Sequence, residues 1–140
     1  MRILAVDPGS KNIGLAISDP SGSIANPLMI IKHKSREIDS DMIIEQAYKH
    51  DAGRIIIGQS FEDENGKPSF EGRKSERLAA AIRRKTTLPV DLWDESFSTQ
   101  DARKGRIMMG VSRRNRAGHL DQLAAILILQ SYLDAHLGGN

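Results

Sequence analysis

A chain of 140 residues, 39% hydrophobic and 27% charged, fits one domain spanning 1–140 and can bury about two thirds of its unfolded surface. It has no cysteine, which excludes disulfides, thiolate nucleophiles and thiolate metal sites and is compatible with a reducing, cytoplasmic setting. The net charge of +2 is a weak argument for any partner, and the longest apolar run, "LAAILIL", is far too short to span a membrane.

The opening reads as a strand, Ile3 to Asp7, behind a single Arg2, which is the pattern of a folded N-terminus rather than a signal peptide. The loop "PGSKN" joins it to a second strand, Ile13 to Ser18, as a hairpin. Residues 24–32, "IANPLMIIK", predict a third strand, with Pro27 marking an edge or a bulge. Ile38, Met42, Ile43, Ala47 and Tyr48 have helical spacing over 38–50. "RIIIG", Arg54 to Gly58, is a short β-branched run expected of a strand buried on both faces. The polar segment "QSFEDENGKPSFEG" reads as a loop, 71–85 as a helix and Pro89 to Trp93 as a fifth strand. "SFSTQDA" opens a short helix with Ser98 as N-cap, and 107–118 reads largely as a mobile loop. Leu120 to Leu137 is a helix apolar nearly all round, hence buried, and two glycines stop it. Three antiparallel strands followed by alternating helices and strands predict an α/β fold with a mixed five-stranded sheet covered by helices.

Three carboxylates stand in awkward places. Asp7 ends the first strand, on one face with Ile3 and Ala5; Glu95 lies just past the fifth strand; Asp121 falls in the first turn of the last helix. Each has a plain explanation: a turn residue in Asp-Pro-Gly, an exposed loop acid, a complement to the helix dipole. Together they point elsewhere. The C-terminal ends of strands one, four and five share one sheet edge, the usual site edge of α/β sheets, and the final helix can present Asp121 to it. Three carboxylates meeting there repel unless divalent cations lie between them. Mg²⁺ takes few protein carboxylates and leaves positions for water and phosphate oxygens, and a pair of such ions suits phosphodiester hydrolysis.

At this point the chain resembles the YqgF family of RNase H-like nucleases, relatives of the RuvC-type Holliday junction resolvases. The resemblance is carried by "DPGSKNIGLAISD", "RIIIG", "DESFSTQDA" and "LDQLAAILILQSYLD", four motifs in order over nearly the whole chain. It implies an RNase H-like fold, Asp7, Glu95 and Asp121 as catalytic metal ligands for Mg²⁺ or Mn²⁺ (two ions), and a nuclease that matures the 5′ end of precursor 16S rRNA. It also implies contact with ribosomal particles. Residues alone leave Asp94 a rival of Glu95, and Asp91, of the same strand parity, a fourth rim acid; the resemblance selects Glu95. Three positions depart from the family pattern. Ser96 stands where an Arg follows the Glu, Gln59-Ser60 replace a Leu-Pro pair, and Asn12 stands where a basic residue is common.

Substrate contacts fall on other residues. Lys11, in the loop beside Asp7, can steer a phosphate. Ser98 and Thr99 can receive one at a helix start, where they serve equally as caps. Six basic residues and no acidic one lie between Arg103 and Arg116. Placed between two candidate catalytic acids, Arg113, Arg114 and Arg116 are expected to bind a phosphate backbone. The expected partner is nucleic acid, precursor rRNA first and branched DNA second. The alternatives are a Holliday junction resolvase and a non-catalytic nucleic-acid-binding module. A nucleotide phosphotransferase using "DPGS" as a phosphate loop would need a second lobe that the chain lacks.

Overall fold

Strand β1, Arg2–Pro8, occupies the middle of a five-stranded sheet of order β3-β2-β1-β4-β5. The structure is a computed structural model. It describes residues 1–62, 66–96 and 113–137, with 113–121 and 137 described in the backbone alone. β2 (Asn12–Ser18) pairs antiparallel with β1, and β3 (Ala25–Lys32) pairs antiparallel with β2. β4 (Ala52–Gln59) runs parallel to β1, and β5 (Val90–Asp94) parallel to β4. Helices α1 (Arg36–Lys49) and α2 (Phe70–Arg83) connect the later strands, and α3 (Arg113–Leu137) ends the chain. This is the expected mixed sheet.

Period-two alternation sends the strand residues to two cores. Leu4, Val6, Leu15, Ile55 and Ile57 meet Ile43, Ala47, Leu78 and Ile82 of α1 and α2. On the other face Ile3, Ala5, Ala16 and Ile56 meet Ala125, Ile128, Leu129 and Leu133 of α3. β4 therefore feeds both cores, as its unbroken apolar run predicted. Ile56, fully buried beneath α3, is the most informative position to truncate: Ile56→Ala is expected to cost about 2–5 kcal/mol, read as a lowered urea midpoint with unchanged m-value.

Local chemistry sets the boundaries. The α1 periodicity starts at Ile38, but the helix starts at Arg36 because the Ser35 side chain accepts from the Ile38 amide at 3.2 Å. Ser69 caps α2 in the same way, through the Gly72 amide at 3.0 Å. Pro27 marks both features expected of it: β3 is an edge strand, and its register with β2 shifts between Leu15 and Ala16, leaving Leu28 as the extra residue. At the far end of the β2–β3 hairpin, Asp19 accepts from the Ser21 hydroxyl and from the amides of Ser23 and Ile24. Those bonds, the serine hydroxyl foremost, lower its pKa to about 2.

One expectation is corrected. The stretch to residue 118, read as loop, is helical from Arg113 onward, so α3 holds 25 residues. Its buried half supplies the nucleus, and each further residue then adds a hydrogen bond at little cost. Gly118 disfavours that extension by only about 1 kcal/mol relative to Ala. Asp121 consequently lies two turns inside α3 rather than in its first turn, which holds Arg113, Arg114 and Arg116 and no acid. A role for Asp121 as complement to the helix dipole falls away, since that effect fades beyond the first turn. α3 is tied down over a long sequence distance: Gln130 accepts from the Ala25 amide and donates to the Ser23 carbonyl, both at 3.0 Å. Among the described residues no helix is long and apolar enough to cross a membrane.

Candidate active site

Asp7 is half-buried near the C-terminal end of β1, on the face covered by α3, by the alternation that puts Ile3 and Ala5 there. Its neighbours on the sheet are both glycines. Gly14 pairs with it across β2, and Gly58 follows on β4 one step beyond the Val6–Ile57 pair. No side chain from either adjoining strand therefore competes for the surface beside the carboxylate. The chain turns immediately afterwards at Gly9, where a Cβ would come within 2.2 Å of the Asn12 carbonyl oxygen, so only glycine fits this tight hairpin.

Glu95 follows β5 directly, and its amide continues the ladder by donating to the Gln59 carbonyl at 3.0 Å. That bond fixes the backbone from which its side chain returns over Gly58: the carboxylate Oε1 lies 3.7 Å from where a Gly58 Cβ would stand. Burial pushes the Glu95 pKa upward, with the adjacent Asp94 charge adding to it. Asp94 itself turns to the local backbone and accepts from the Ser96 amide at 2.9 Å. Asp91 is ion-paired with Arg54, and Asp19 caps a turn at the opposite end of β2 from the Asp7 partner Gly14. Of the rival acids, Glu95 alone is the one brought over Gly58.

Asp121 is placed by backbone on α3. It stands one turn before Ala125 and two turns before Ile128 on one helical stripe. Ile128 packs above Gly58, with its Cδ1 2.6 Å from where a Cβ would be. Ala125 and Ile128 are thus applied to the sheet beside Glu95. Trp93 fastens the same strand end to α3 by donating from Nε1 to the Ser131 hydroxyl at 2.7 Å and packing edge-on against Tyr132. Gly58 is the residue whose importance the sequence concealed, since it looked like a plain strand terminator. Gly58→Ala is expected to force Ile128 aside and cost about 1–3 kcal/mol, measured by thermal melting.

The donors in this region are carboxylate oxygens, with no sulfur or imidazole among Asp7, Glu95 and Asp121, which suits a hard divalent cation rather than zinc or copper. Among the described residues no three acidic or histidine side chains already converge, and the Asp121 side chain lies outside them. Lys11 is exposed in the β1–β2 loop next to Asp7. Ser98 and Thr99, with the short helix expected there, lie outside the described residues, and Arg113, Arg114 and Arg116 are placed by backbone in the first turn of α3.

The Gln59-Ser60 departure has its own polar anchoring. Gln59 Nε2 donates to Glu76 at 2.8 Å and to the Gly72 carbonyl at 3.2 Å, and the hydroxyls of Ser60 and Ser69 bond each other. β4 is thereby fixed to α2, and the carbonyl that holds Glu95 stays in place.

Comparison with known proteins agrees with this architecture. Residues 1–135 match the family model described as "RuvX: Holliday junction resolvase". A Thermoanaerobacter pseudethanolicus protein named "Putative pre-16S rRNA nuclease" is 39% identical over 136 residues, covering 96% of this chain and 97% of its own. A Bacillus cytotoxicus protein of the same name is also 39% identical, over 137 residues, with 96% and 99% covered. In fold, the chain superimposes on Thermus thermophilus RuvC bound to a Holliday junction substrate with a TM-score of 0.67 at 14% identity, covering 99% and 96% of the two chains. It superimposes on the fowlpox virus resolvase complex with a TM-score of 0.56 at 16% identity, covering 98% and 99%. The four motifs, the RuvC-like sheet and the full-length match lead to one assignment: the chain belongs to the RuvX family, the YqgF-type group its sequence resembles.

Proposed function

We propose that this protein is a metal-dependent nuclease that hydrolyses phosphodiester bonds and matures the 5′ end of precursor 16S rRNA, acting in the cytoplasm on RNA within ribosomal particles. The observation that carries the reading is the Glu95 carboxylate held over Gly58, on the face and rim where Asp7 ends β1. A desolvated acid whose pKa is raised by burial, and further by the Asp94 charge, is costly and is a mark of functional sites. The names of the relatives support an RNA substrate.

Asp7, Glu95 and Asp121 would hold Mg²⁺ or Mn²⁺, and the bound ions would supply water activation and neutralisation of developing charge. The chain's own residues do the rest. Asp7 presents its oxygens from the rigid central strand. Burial raises the Glu95 pKa, so cation affinity would weaken as pH falls and the carboxylate takes up its proton. Lys11 and the basic first turn of α3 hold flanking phosphates. Three arginines at the positive end of a helix are unfavourable alone and become favourable against an anion. Ser98 and Thr99 are assigned to a phosphate by type and place in sequence.

The test offers the protein a labelled 5′ segment of precursor 16S RNA and a four-way DNA junction side by side, with Mg²⁺ or Mn²⁺ and with chelator. Metal-dependent cutting of the RNA alone is the expected result. Paired symmetric nicks in the junction would make the protein a resolvase, and binding without cutting would make it a binding module.

A further inference from the structure

The β1–β2 loop has a second side. Behind Pro8, Gly9 and Ser10, on the face of α1 and α2, lies a cleft of about 300 Å³. Its charged lining comes from three places: His33 after β3, Arg36 and Asp39 at the start of α1, and Glu71, Lys74 and Arg77 along α2. The acids are largely occupied. Asp39 is buried, accepts from the Lys34 amide at 3.0 Å and bonds the His33 Nδ1, which leaves Nε2 as the imidazole's remaining polar atom. Glu71 sits 3.7 Å from Lys74, a loose pair at one turn's spacing. Among the described residues Arg36 and Arg77 have no ion-pair partner, although both line the same concave surface. The guanidinium groups of Arg36 and Arg77, the Lys74 ammonium and the Ser10 hydroxyl form a donor-rich hollow suited to a tetrahedral oxyanion.

We propose that this cleft is a phosphate-binding subsite that seats a backbone or terminal phosphate of the nucleic-acid strand, on the opposite side of the Gly9 loop from Asp7. The inference rests on the nuclease reading for the source of the phosphate, and on the cleft alone for the phosphate itself. The loop is three residues long between β1 and β2. A strand with one phosphate near Asp7 can therefore cross the loop and place a nearby one in the cleft, which would set the register of the cut.

The experiment uses the full chain with chelator present, so that no cutting occurs. Inorganic phosphate is titrated first and followed by amide NMR. Saturable shifts at Ser10, Ser35 and Arg36 are expected, and their loss in R36Q/R77Q. A single-stranded RNA is then titrated at several salt concentrations. R36Q/R77Q is expected to bind about tenfold more weakly, with a salt slope smaller by about 1. The control K49Q/R84Q removes equal charge from exposed positions at the other ends of α1 and α2 and should stay within about twofold of the parent. All four side chains are exposed, so folding is not at stake. Absence of phosphate shifts in the cleft overturns the proposal, even for a parent that cuts RNA. Phosphate shifts with RNA affinity equal in R36Q/R77Q and parent overturn the strand as the source and make the cleft a site for free phosphate. A parent that binds phosphate but no nucleic acid overturns the nuclease reading, and the strand-borne source with it.

Discussion

Asp7→Asn is expected to abolish metal-dependent cleavage, by about 10³-fold or more, while the protein melts at or slightly above the parent temperature. On the proposed reading the Asp7 carboxylate would help hold the divalent ion from the central strand, and losing it would remove several kcal/mol of transition-state stabilisation. The amide is isosteric and neutral, so β1 keeps its pairs with Gly14 and its place beside Gly58. Initial rates under saturating Mg²⁺, with circular dichroism melting on the same sample, separate the two effects. A variant that cuts as well as the parent removes Asp7 from the site.

Glu95→Gln should show an opposite pairing of activity and stability. Cleavage falls by about 10²–10³-fold. Stability without metal rises at neutral pH, and the sign follows from the direction of the shift. Burial raises the Glu95 pKa in the folded protein, so the folded state binds the proton more tightly than the unfolded state does. The parent therefore loses stability as pH rises from the ordinary glutamate range through the raised folded value. The amide has no such penalty. In chelator the variant should melt above the parent at pH 7, with the difference gone by about pH 4, and Mg²⁺ should reverse the order by stabilising only the parent. Melting curves at three pH values with and without Mg²⁺ measure this directly. A parent whose melting is indifferent to Mg²⁺ would remove Glu95 as a metal ligand.

Much of the fold was legible because its signals are local. The five strands appear as apolar runs of the right length, and the sheet order follows from a hairpin start and parallel continuations. The boundary of α3 was not legible, because "RRNRAGH" has loop-like composition and is helical only as an extension of a buried segment. Asp7 was legible from its place at the end of an apolar run. Residue types alone left Glu95 and Asp94 as rivals and the resemblance selected Glu95; in the structure the Asp94 carboxylate folds back to the Ser96 amide, while that of Glu95 returns over Gly58. The cationic cleft left no mark in the sequence, since His33, Arg36, Lys74 and Arg77 come from distant segments and each alone reads as an exposed polar residue. The same holds for the two glycines flanking Asp7, which meet only once the strands are in register.

The long reach of α3 has a consequence in time. β1, β2 and β3 close on one another through near neighbours, and such contacts form early. The face bearing Ile3, Ala5, Ala16 and Ile56 waits for a helix whose Gln130 bonds lie 105 and 107 residues away from their partners. During synthesis at about 5–20 residues per second, that face stays uncovered for several seconds after the first hairpin leaves the ribosome. The helix that covers this face also carries Asp121. On the proposed reading, a chain made only as far as β5 would lack one of the three assigned acids, so cutting would wait for α3.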